Sequence, residues 1–69
     1  MISYEKLFLK IAEKNMNKTA FRKAVGIGQN TLAKLGKNEY VSMEIIEKIC
    51  NYLDCNIGEI MDVVTTKKK

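Results

Sequence analysis

Two glycines flank a single isoleucine at positions 26–28, and this Gly-Ile-Gly corner constrains the fold more than any other stretch of the chain. Before it, Ala20, Phe21, Ala24 and Val25 share one face of a helix, while Lys18, Thr19, Arg22 and Lys23 share the other. After it, a rotation of about 100° per residue puts Leu32 and Leu35 on one side. Gln29, Asn30, Ala33 and Lys34 then fall within an arc of about 140° on the opposite side. Gly26 can adopt the left-handed conformation that ends a helix, and Gly28 can open the next. Ile27 and Leu32 stand one place before and four places after that opening, the spacing of a hydrophobic staple that fixes the entry angle. The pattern predicts two short helices set at a defined angle, a helix-turn-helix.

The outer face of the second helix offers two amides, a methyl group and an ammonium, the groups that read base edges in the major groove. Charge agrees with that expectation. The chain carries a formal +4, unevenly: residues 14–38 hold Lys14, Lys18, Arg22, Lys23, Lys34 and Lys37 with no acid, giving +6. Residues 39–66 hold Lys48 against Glu39, Glu44, Glu47, Asp54, Glu59 and Asp62, giving −5. Such polarity orients a domain on a polyanion and speeds the encounter in a salt-dependent way.

The remaining segments carry repeated helix-start signals. Ser3, flanked by Ile2 and Leu7, predicts a cap for a first helix over residues 4–15, with Tyr4, Leu7, Phe8, Ile11 and Ala12 as its apolar stripe. Asn17, between Met16 and Phe21, caps the helix before the corner. Its amino end, with Lys18, suits a phosphate. Gly36 is expected to end the helix after the corner, leaving Lys37 and Asn38 near the backbone edging a groove; Tyr40 suits packing and phosphate contact equally. Ser42, between Val41 and Ile46, opens a fourth helix that buries Ile45, Ile46, Ile49, Cys50 and Leu53 and exposes Glu44, Glu47, Lys48 and Asn51. Asn56 and Glu59 form a capping box for a short fifth helix with Ile57, Ile60, Met61 and Val64 apolar. That is more apolar surface than such a helix needs, so these four residues are candidates for contact with a second copy. The expectation is an all-α five-helix bundle over residues 1–64, with a basic tail over 65–69 that frays.

Other classes fit poorly. No apolar run approaches the roughly 20 residues that span a bilayer, and no signal-peptide pattern opens the chain, so a soluble, cytoplasmic protein is expected. Cys50 and Cys55, with no histidine in the sequence, do not make a four-ligand zinc set and read as packed thiols of a reducing compartment. The chain has no phosphate-binding glycine loop and no paired carboxylates in an acid/base setting, so it does not read as an enzyme. A protein-interaction module remains the alternative, since the acidic second half and the apolar end would suit a protein partner.

The segment GIGQNTLAKL resembles the turn and recognition helix of the phage repressor and Cro (Xre-type) family of small bacterial DNA-binding regulators. The likeness lies in the glycine corner, the Gln at the first recognition position and two apolar positions three apart, and the helix order extends it over nearly the whole chain. It implies a repressor-like fold that binds double-stranded DNA as a homodimer, without cofactor or metal, and represses transcription. It also admits an antitoxin-like adaptor. On this pattern Gln29, Asn30, Ala33 and Lys34 read bases, and Lys18, Thr19, Arg22, Lys37 and Asn38 hold phosphates. The family commonly has Ala at the fifth position of the motif, where this chain has Arg22; its stem is expected to pack flat with its head pointing outward.

Overall fold

The computed structural model describes residues 1–65. Among them the order is β1 (Ile2–Ser3), α1 (Glu5–Glu13), α2 (Lys18–Val25), α3 (Gln29–Gly36), α4 (Met43–Leu53), a 3-10 turn (Ile57–Glu59) and β2 (Asp62–Val63). The expected bundle is therefore corrected from five helices to four, closed by a two-stranded antiparallel sheet that pairs Ile2 with Val63 and Ser3 with Asp62. Met1 extends the pairing, its carbonyl accepting from the Val64 amide at 2.8 Å. Of the basic tail expected over 65–69, residues 66–69 lie outside the described part.

Local signals set most helix boundaries. Asn17 Oδ1 accepts the Ala20 amide at 2.7 Å and Ser42 Oγ accepts the Ile45 amide at 3.2 Å, so α2 and α4 start where their caps predict. The ends follow one rule that composition conceals. Each α-helix stops at a left-handed residue, Asn15, Gly26, Asn38 or Asp54, and only one of these is glycine. After each, the next amide reaches back five residues: Met16 to Ile11, Ile27 to Arg22, Glu39 to Lys34 and Cys55 to Cys50, at 2.9–3.1 Å. This is the Schellman arrangement, which satisfies carbonyls that the helix leaves without partners. Gly36 does not end α3 as expected: it is the last helical residue, and Asn38 (φ 59°) makes the left-handed break.

Two further expectations change at the chain ends. Ser3 lies in β1 rather than capping α1; its Oγ accepts the Glu5 amide at 3.3 Å, and the cap position is Tyr4. The expected fifth helix is a single turn. Asn56 and Glu59 do make the capping box, with the Asn56 amide donating to Glu59 Oε2 at 3.0 Å. That amide, and Lys10 beside it, hold the Glu59 carboxyl below the ordinary carboxylate range. Beyond the turn, Val63 finds a strand partner in Ile2. A one-turn helix gains little against its nucleation cost, and consecutive β-branched residues favour the pleated alternative.

The core joins Tyr4, Leu7 and Ile11 from the α1 side with Phe21, Ile27, Leu35 and the Ile46, Ile49 and Leu53 stripe of α4. Ile60 completes it and is fully buried, so it leaves the set of residues that could face a second copy. Ala20 and Ala24, expected on the buried face of α2, are exposed, while Phe21 is buried and Val25 packs half-buried against the core. Tyr4 is core, as its place on the stripe implies: the ring is buried and its hydroxyl donates to the Glu39 carbonyl at 2.8 Å. Burial pushes its phenol above the ordinary value, partly offset by the Val41 backbone.

Candidate nucleic-acid interface

The angle between α2 and α3 is set within the corner. Gly26 is left-handed at φ 87°, and Ile27 drops its side chain into the core. Arg22 grips the Ile27 peptide from both sides. Its carbonyl accepts the Ile27 amide at 3.1 Å, and its guanidinium donates to the Ile27 carbonyl at 3.3 Å. The head of Arg22 thus folds back onto the turn rather than pointing outward, and the side chain is half-buried. A residue expected to hold phosphate thus also braces the corner, an arrangement that alanine at this position cannot make.

From that corner α3 leaves with its faces divided as the spacing predicts. Leu35 is fully buried and Leu32 packs, half-buried, against the core. Gln29, Asn30, Ala33 and Lys34 are all exposed. Gly28 caps α3 without a side-chain acceptor for its first amides, whereas α2 and α4 have one. Among the described residues no side-chain hydrogen bond engages Gln29, Asn30 or Lys34, so the outward face of α3 keeps its groups for another molecule.

The flanking residues divide into exposed polar or cationic side chains and residues that also brace the fold. Thr19 and Lys37 are exposed, and the Lys18 ammonium lies 4.8 Å from the centre of the Phe8 ring. That position holds the Lys18 charge beside the start of α2. Asn38 also serves the fold: its Oδ1 accepts the amide of Tyr4, the residue that opens α1, at 3.0 Å from 34 residues away, while the side chain stays exposed. Spacing cannot reveal such a partner, although Asn is a residue type that tolerates the left-handed backbone found there. Tyr40, left open between packing and contact, is 78% exposed. With Lys34, Asn38 and Glu39 it lines a shallow cleft that also touches Met1 and Ile2. A second cleft joins Asn38 to Lys18, so Asn38 stands between the ends of α3 and α2.

Ion pairing sharpens the charge asymmetry. The two ion pairs among the described residues, Lys6–Asp62 at 3.1 Å and Lys10–Glu59 at 3.6 Å, tie α1 to the acidic C-terminal segment. None of Lys14, Lys18, Arg22, Lys23, Lys34 and Lys37 is in an ion pair among these residues. The excess cationic charge around α2 and α3 is left to solvent and to whatever approaches.

The sequence matches the model of the Cro/C1-type HTH DNA-binding domain over residues 6–66. The chain belongs to the Cro/C1-type family. Its fold is similar to the crystal structure of the transcriptional regulator VanUg, at 44% identity and a TM-score of 0.85, covering 88% of this chain and 81% of that one. No curated protein matches the sequence. In this Cro/C1-type domain α2, the tight corner and α3 have the form expected of the motif, and the exposed face of α3 is the candidate recognition surface. No helix among the described residues is long and apolar enough to cross a membrane.

Proposed function

We propose that this Cro/C1-type domain binds double-stranded DNA in a sequence-dependent way and represses transcription, with α3 lying in the major groove. The observation that carries this is the division of α3: Leu35 fully buried, and Gln29, Asn30, Ala33 and Lys34 all exposed beside cations that no acid neutralises among the described residues. Gln29 and Asn30 suit the N6 and N7 edge of adenine, Lys34 suits guanine, and the Ala33 methyl suits thymine. Lys18, Thr19 and Lys37 set register on phosphates, helped by Tyr40 at the rim. Arg22 and Asn38 act one step removed, by holding the corner and the loop that carry those groups.

A single α3 reads only a few base pairs, so two copies related by a dyad are the expected binding unit. The surface proposed for that contact is Ile57, Met61 and Val64 together with Val63. Ile57, Met61 and Val63 line one apolar depression at the C-terminal corner. Val63 was hidden from a helical reading of this segment because it falls off the helical stripe, and the strand turns it outward to 72% exposure.

Gel-shift titration of two variants tests the division of labour. Gln29→Ala should weaken the preferred site by about 1–3 kcal/mol and leave random DNA nearly unaffected. Lys37→Ala should weaken both and lower the salt slope by about one. Equal effects on both DNAs from both variants would remove the distinction, and absence of sequence preference at any salt would favour a protein partner instead.

A further inference from the structure

The end of α4 places two thiols where a helix end usually carries an apolar pair. In the Schellman arrangement, the third residue before the cap and the second after it touch. At α4 these positions are Cys50 and Cys55, bridged by the left-handed Asp54 (φ 54°). The Cys55 amide donates to the Cys50 carbonyl at 3.0 Å. That bond keeps the two α-carbons within about 7 Å of each other, near the separations of roughly 4.4–6.8 Å that a disulfide spans. Burial, together with the adjacent Cys55, pushes the Cys50 thiol up. Both thiols are unpaired and only half-buried, so a small reagent can reach them.

We propose that Cys50 and Cys55 form a thiol–disulfide exchange site, closed into an intrachain disulfide by low-molecular-weight disulfides of the glutathione type. In the first step one cysteine thiolate attacks the small disulfide and expels one of its halves as a thiolate, leaving a mixed disulfide on the protein. The second cysteine loses its proton to solvent, attacks the protein sulfur of that mixed disulfide and expels the other half. Two electrons pass from the protein dithiol to the small disulfide, and two small thiols leave carrying the two protons. The second step is unimolecular because the attacking sulfur belongs to the same helix end, five residues away and tied to it by the backbone bond, so the mixed disulfide does not accumulate. This chemistry is independent of the DNA-binding proposal, since the pair belongs to α4 and the turn after it rather than to α3.

The test uses the full chain, reduced, then exposed to glutathione disulfide, quenched with a maleimide and weighed intact. The wild type should lose both maleimide-reactive thiols together and become lighter by two hydrogens, with no glutathione retained. Cys50→Ser and Cys55→Ser, checked for folding by circular dichroism, should each hold one glutathione as a lasting adduct. Asp54→Gly keeps the left-handed corner and should close as the wild type does. Accumulation of a glutathione adduct on the wild type, covalent dimers, or two thiols that remain reactive would each overturn the proposal.

Discussion

Asn38 is where helix termination and helix initiation meet in one side chain, and its replacement separates the two. Its backbone is left-handed at φ 59°, and its Oδ1 accepts the Tyr4 amide at 3.0 Å. Asn38→Ala loses both features: about 1 kcal/mol for the left-handed backbone and about 1 kcal/mol for the bond to the amide at the start of α1. The expected loss is about 2 kcal/mol. Asn38→Gly loses the bond but keeps the backbone, for about 1–1.5 kcal/mol once the freedom of the unfolded glycine is counted. Asn38→Asp keeps an acceptor that also suits the positive end of α1, and should stay within about 0.5 kcal/mol of wild type. For a domain of this size the Ala variant should melt about 8–16 °C lower. Urea midpoints at constant slope give the order Asp close to Asn, then Gly, then Ala. An Ala variant as stable as Gly would mean that the left-handed turn carries no strain. A Gly variant as stable as wild type would mean that the Tyr4 bond contributes nothing.

Tyr4→Phe removes the hydroxyl bond to Glu39 and should cost about 1 kcal/mol at neutral pH. The folded phenol titrates above its ordinary value of 10.0 because it is buried, so its contribution is present below that value and is lost as pH rises through the folded value. The gap between wild type and Tyr4→Phe in urea unfolding should therefore shrink above pH 10; a constant gap would refute this. Arg22→Met keeps the apolar stem and removes the guanidinium, and should lower stability by about 0.5–1.5 kcal/mol. If Arg22 braces the turn, the salt slope of DNA binding stays unchanged, whereas a slope lower by about one would return it to the phosphates. Val63→Lys should shift the sedimentation of the DNA-bound protein from dimer to monomer with folding intact, and an unchanged dimer would place the contact elsewhere.

What could be read from the residues is whatever depends on neighbours a few places apart. The faces of α3, the caps at Asn17 and Ser42 and the glycine corner rest on periodicity and on side chains reaching their own backbone, and these the order of residues determines; on α2 the same periodicity puts Ala20 and Ala24 inside, where the fold leaves them exposed. The basic half and the acidic half are likewise visible without coordinates, because charge needs no geometry to be counted. Tertiary structure decided what depended on partners distant in the chain. Asn38 holds the Tyr4 amide from 34 residues away, which gives a phosphate candidate a second task as a brace. Ile2 offers an edge to Val63, so the segment expected as a fifth helix ends after one 3-10 turn that puts Ile60 inside and continues as a strand with Val63 outward. Arg22 folds back because the carbonyl of Ile27 lies within its reach once the turn has formed. A short segment with weak local preference adopts whichever backbone the rest of the fold can pair and bury, and that choice is made only when the distant surface is in place.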